Sequence, residues 1–158
     1  MPMYKIRWAA EEDCIAVLEI ARQCWEPIYE SYKKILGEEL YTVVYPNAMD
    51  VKQEKVRAAV IEGRAFVAES QGSICGFATF YVGGQVGTLT NNGVAPNYKG
   101  NGIAGKLYER IFEELRQRKC TVVGVVTGLD DAYAPARRAY EKMGFEAGLP
   151  SIQYYKKL

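Results

Sequence analysis

The sequence predicts an α/β protein built on a mixed, strongly twisted sheet with helices on both faces. Three observations predict it. Short β-prone runs after residue 65 are separated by hairpin turn signals, Gln71-Gly72-Ser73 and Gly83-Gly84. A glycine-rich loop then opens an amphipathic helix, and the valine-rich run at residues 121–127 follows it, which is the order of a parallel crossover. Between residues 11 and 62 the chain reads as helices and a loop rather than as strands.

Residues 4–8 read as a short opening strand, and Glu11, Glu12 and Asp13 mark a helix start ahead of the apolar stripe Ile15, Leu18 and 21–25. Pro27 is expected to break that helix, because proline removes a backbone donor and clashes with the preceding turn. The tyrosine-rich stretch 29–45 reads as a second short helix and a loop, and residues 51–62 as a further helix stopped by Gly63. The runs 66–68, 74–82 and 86–94 form adjacent strands. Ile103, Leu107, Ile111, Phe112 and Leu115 then fall at helical spacing among charged residues. A last helix is expected from about Pro135 to Met143, and a closing strand near residues 152–156.

At 158 residues the chain accommodates one domain, 1–158, and one site. Its net charge of +1, with basic residues interspersed among acidic ones, offers no stripe for nucleic acid and no pull toward a membrane. The sequence has no histidine, which excludes Ser-His-Asp and Cys-His catalysis and removes the commonest metal ligand; no metal is expected. Four scattered cysteines without a C-x-x-C pair read as reduced core thiols. With no cleavable apolar leader or long apolar span, they point to a cytoplasmic protein.

The informative segment is residues 94–105, Val-Ala-Pro-Asn-Tyr-Lys-Gly-Asn-Gly-Ile-Ala-Gly, between strand and helix. Glycines let the backbone approach a ligand, and the unpaired first-turn amides and macrodipole of the helix favour an anion there. Lys99 adds a formal charge, so a phosphate or pyrophosphate suits this nest. Such glycines also serve turn geometry alone. The loop lacks the G-K-[ST] ending of a Walker loop and the ribose-binding acid of a dinucleotide fold.

Residues 94–104 resemble the acetyl-CoA signature of the GNAT acetyltransferases, V-x-P-x-x-[RK]-G-x-G followed by I-[GA]; Lys99, Gly102 and Ala104 match its core. Lysine in place of arginine or glutamine keeps the charge and loses the bidentate geometry of arginine. A second segment, residues 136–145, resembles the later A-R-x-x-Y-E-K-x-G-F element of the family. The resemblance covers the chain in element order, with specific residues confined to about 88–145. It implies a sheet of six to seven strands with a splay between the fourth and fifth. In that splay Asn92, Gly93 and Val94 would hold pantetheine and the thioester, and Lys99, Gly100, Asn101, Gly102, Ile103, Ala104 and Gly105 the pyrophosphate of acetyl-CoA. Tyr133, where relatives carry asparagine or histidine, would reach pantetheine, and Arg137 or Arg138 a CoA phosphate, a solvated helix position being the alternative for at least one of the two.

Acyl transfer needs a neutral amine, oxyanion donors and a proton for the departing thiolate. The resemblance puts the Tyr140 hydroxyl near the CoA sulfur as the acid; the alternative is an aromatic packed on the sheet. The Val94 amide is the economical oxyanion donor if the strands splay. The run 87–93 has no titratable side chain, so a carboxylate base on that strand is in doubt. A water held by Asn91 or Asn92, or a carboxylate such as Glu26 or Glu30, stays open. Asp130 and Asp131 are expected to cap the following helix. Trp25, Tyr29, Tyr32 and Tyr41, with Glu26 and Glu30, are the candidates for binding a cationic acceptor amine through cation-π contact and charge.

The expected activity is therefore acetyl transfer from acetyl-CoA to a primary amine of a small molecule or peptide. A CoA-binding sensor with little catalysis, motivated by the missing strand carboxylate, is the alternative from another class. A nucleotide module unrelated to CoA is a third reading, which the second motif opposes. Dimerisation is common among look-alikes, so a homodimer is a further expectation.

Overall fold

The computed structural model describes residues 3–158. Its sheet has five strands in the order β1 (Lys5–Trp8), β2 (Ala65–Ser70), β3 (Ser73–Gly83), β4 (Val86–Val94) and β5 (Val122–Val125). The first three pairings are antiparallel, and β4 and β5 run parallel. Five helices flank it: α1 (Cys14–Leu36), α2 (Glu38–Val44), α3 (Ala48–Ile61), α4 (Ile103–Gln117) and α5 (Ala134–Lys142).

Strand alternation gives the sheet two buried faces. Phe66, Phe80 and Leu89 meet Ile103, Leu107, Ile111 and Leu115 of α4, while Val67 and Phe77 meet Val17 and Ile20 of α1 and Val56 of α3. The predicted layers are present, with helices on both faces. Arg7 ties β1 to the start of α1 and to β2: its guanidinium grips both oxygens of buried Asp13 at 2.8 and 2.9 Å, and its Nε reaches Glu69 at 2.7 Å.

Three expectations need correction. Pro27 does not end α1, which continues to Leu36 and stops at Gly37, where φ is +81°. The turns before Pro27 are anchored by buried Val17, Ile20, Ala21 and Trp25, and Pro27 itself is exposed, so the one lost backbone bond is outweighed by the packing of the preceding turns. The sheet has five strands rather than six to seven. Residues 152–156 pair with no strand among the described residues; their side chains are exposed, and Lys157 instead meets Glu39 of α2. An alternating apolar pattern makes a strand only where a sheet edge receives it.

Thr79 lies opposite two residues of β4, because the register steps from Phe80↔Leu89 to Ala78↔Asn92. Its hydroxyl fills this bulge, accepting the Asn91 amide at 2.9 Å and bonding the Thr90 hydroxyl at 2.6 Å. The β4–β5 ladder ends at Leu89↔Val125, immediately before the bulge. Beyond it β4 pairs only with β3, and the sheet opens between the fourth and fifth strands.

Candidate active site

The opening is the floor of a cleft of about 510 Å3, walled by Asn92, Gly93 and Val94 of β4, the loop that leads into α4, Val126 and Thr127 after β5, and Tyr140 of α5. In an antiparallel ladder every second residue turns its polar backbone away from its partner. Ala95 donates to Cys75 on the β3 side at 2.9 Å, so Val94 and Asn92 turn their backbones toward the splay. The Val94 carbonyl there accepts the Cys24 thiol at 3.6 Å. Burial pushes that thiol's pKa up and keeps it protonated.

Gly93 has the opposite parity and spends its polar backbone on β3, so it contributes by lacking a side chain. A Cβ there would lie 2.8 Å from Cys24 Sγ and 3.2 Å from the Phe77 ring. Glycine is what lets α1 close down on the strand.

At the other end of the cleft, Gly102 is the N-cap of α4 with φ at +75°, and no side chain caps the first turn. The amides that open α4 are therefore free to meet an anion, with Lys99, Gly100, Gly102, Ile103 and Ala104 lining that end. Ile103 itself is a core anchor, 1 % exposed, so only its backbone is on offer. Asn101 and Gly105 do not line the cleft. The Asn101 amide donates to the Tyr98 carbonyl at 3.0 Å and its own carbonyl accepts the Tyr4 hydroxyl at 3.3 Å, which sets the loop's shape. Gly105 faces Met143, just past the end of α5.

Tyr140 is nearly buried at the centre. Tyr108 of α4 donates to Asn92 Oδ1 at 2.6 Å, and Asn92 Nδ2 donates to the Tyr140 hydroxyl oxygen at 3.0 Å. Tyr140 thus receives a hydrogen bond and, among the described residues, donates none. Burial raises its pKa, with the Asn92 amide and the Tyr108 hydroxyl beside it pulling the other way; burial also raises Tyr108 strongly. Both phenols stay protonated at neutral pH. Across the splay, the Thr127 hydroxyl oxygen is buried without a partner. An orphaned hydroxyl, outward-facing strand amides and an uncapped helix start together fit an extended ligand carrying amides at one end and a pyrophosphate at the other.

The remaining predicted residues divide. Trp25 and Tyr29 line a second cavity of about 300 Å3, with Tyr32, Tyr45, Lys52, Lys55 and Tyr133 among its walls. Trp25, Lys52 and Tyr133 also border the first cleft, so the two meet there. The Tyr133 hydroxyl bonds that of Tyr32 at 2.6 Å. Tyr41 stacks on Tyr45 behind the wall. Glu26 and Glu30 stay outside: both are exposed, and Glu26 accepts from Arg22 at 2.7 Å. Arg137 turns to its own loop, donating to the carbonyls of Gly128 and Asp130 at 2.7 and 2.8 Å. Asp130 precedes a 3-10 turn, Asp131–Tyr133, without a side-chain capping bond, and Tyr133 rather than either aspartate stands at the N-cap of α5; the Asp130 carboxylate accepts the Ser31 hydroxyl at 2.5 Å and ties α1 to that loop. Asn92 is engaged at both ends of its amide, by Tyr108 and Tyr140, whereas Asn91 accepts Lys52 Nζ at 2.8 Å on its oxygen alone. Among the described residues, no carboxylate lines either cavity.

The residues missed in the sequence are Tyr108, Cys24 and Lys52. Tyr108 had a signal, since a tyrosine on the apolar face of α4 needs a partner for its hydroxyl. Lys52 had none, because a helix lysine ordinarily marks a solvated face.

A mixed sheet splayed beside an uncapped helix start, with a buried phenol between, is an arrangement that suits an acyltransferase. The chain belongs to the acetyltransferase (GNAT) family, whose model matches residues 14–145. Solved structures share the fold. The aminoglycoside N-acetyltransferase AAC(6')-Iy in complex with CoA is 18% identical, covers 100% of this chain and 97% of its own, and has a TM-score of 0.70. The PaiA N-acetyltransferase of Thermoplasma acidophilum in complex with coenzyme A is 17% identical over 92% of this chain and 91% of its own, with a TM-score of 0.72. An aminoglycoside acetyltransferase from an uncultured soil metagenomic sample, in complex with sisomicin, is 19% identical over 98% and 96%, with a TM-score of 0.59.

Proposed function

We propose that the protein transfers an acetyl group from acetyl-CoA to a primary amine of a small molecule or peptide by direct attack of the amine on the thioester. The observation that carries this reading is the arrangement at Tyr140: Asn92 donates to its oxygen, and the hydroxyl stands in the cleft with no acceptor among the described residues, its own proton free to be given away. The outward-facing Val94 backbone stands at the same opening, and the nest at Gly102 supplies the anion site.

In this reading the amine nitrogen forms a bond to the thioester carbonyl carbon, and the Val94 amide takes the charge that develops on oxygen. The carbon–sulfur bond breaks, and Tyr140 protonates the leaving thiolate and regains its proton from solvent. The acceptor nitrogen sheds its extra proton to water through the open cleft, because no carboxylate lines it. The CoA complexes of two structural neighbours support acetyl-CoA as co-substrate.

Calorimetry with acetyl-CoA tests the reading. The wild type is expected to bind, and Gly102→Glu to lose affinity by on the order of tenfold or more, since a carboxylate in the nest repels pyrophosphate. Gly102→Ala carries the same backbone strain at φ +75° without the charge, about 1 kcal/mol of stability, and should retain binding. Absence of binding by the wild type would overturn the proposal.

A further inference from the structure

Resting on the function proposed above, we infer that the acceptor is an amine that also bears an anionic group, held by Lys52 where the two cavities meet. The cavity beyond the thioester cleft is walled by Trp25 and four tyrosines, and its charged members are Lys52 and Lys55. Neither lysine makes an ion pair among the described residues; the lysines that do are Lys5, Lys33, Lys106 and Lys157. Lys52 is held in place by Asn91 Oδ1 at 2.8 Å and by the Trp25 ring, whose centroid is 4.6 Å from Nζ. The aromatic face that would attract a cationic acceptor is thus already covered by the protein's own cation.

Burial beside Lys55 pushes the Lys52 pKa down to about 8, the mark of a cation that lacks a counter-ion. An anion entering the cavity supplies it, whereas a second cation meets two like charges with no carboxylate on the walls. Aminoglycosides, which the names of two neighbours give as acceptors, are polycations and fit this wall poorly. A compact amine with a carboxylate or phosphate fits both the charge and the volume of about 300 Å3.

The test is acetyl transfer from acetyl-CoA to matched acceptors: phenylalanine against phenethylamine, lysine against cadaverine, phosphoethanolamine against ethanolamine, and neamine as the polycation. The anionic member of at least one pair is expected to lead in kcat/KM by on the order of tenfold. The lead resides in KM and disappears in Lys52→Met, while calorimetry shows acetyl-CoA affinity retained in the variant. The first two pairs against the third separate a carboxylate from a phosphate. Equal or better use of the members that lack the anionic group or of neamine, or an anionic preference untouched in Lys52→Met, overturns the inference and leaves acetyl transfer standing. Intact acetyl-CoA binding with no transfer to any anionic amine overturns it too, and failure to bind acetyl-CoA removes both readings.

Discussion

Three side chains set the proton geometry of the cleft. The relay from Tyr108 through Asn92 to Tyr140 has one direction, since the asparagine amide can only donate and its oxygen only accept. Tyr140→Phe removes the proton offered to the thiolate but keeps the ring packed between Tyr108 and Phe145. We expect kcat to fall by on the order of 100-fold with acetyl-CoA affinity nearly unchanged, measured by steady-state kinetics and calorimetry. Unchanged turnover would reduce Tyr140 to packing. Its position in the helix was readable from the sequence, but the relay was not, because Tyr108 and Asn92 lie 16 residues apart and converge only when α4 folds over β4.

Among the elements, the bulge in β4 and the seam around Arg7 do different work. The bulge ends the β4–β5 ladder and so creates the cleft. The seam holds β1, β2 and α1 together. The Arg7 guanidinium lowers the pKa of Asp13, so this pair's stabilisation is complete above the ordinary carboxyl value of 3.8 and is lost as pH falls through the depressed folded value. Arg7→Met leaves a buried carboxylate without its cation and should cost roughly 2–3 kcal/mol at neutral pH, the partial exposure of Arg7 holding it toward the lower end. Urea denaturation across the acid range should show the variant's stability falling less steeply than that of the wild type.

For the whole molecule, the described sheet closes without the last ten residues. Leu149, Ile152, Tyr154 and Leu158 are exposed, and the tail's ion pair to α2 is a surface one. Removing residues 149–158 should change stability by less than about 1 kcal/mol and leave acetyl-CoA affinity intact, checked by thermal unfolding and calorimetry. A collapse of the fold would mean that the tail closes the sheet after all.

Local pattern in the sequence determined the hairpin strands, the amphipathic α4, its glycine start at Gly102 and both motifs that carry the family, because periodicity and glycine placement act within a few residues. The sequence misjudged Pro27 and the closing strand for the same reason: a local signal stands or falls by what packs against it. Only the tertiary structure decided that Asn92 serves Tyr140, that Arg137 serves its own loop, and that Glu26 and Glu30 face solvent. It alone brought Lys52 against Trp25 and Asn91, since that contact joins α3, α1 and β4, and no short-range pattern encodes the meeting of three elements.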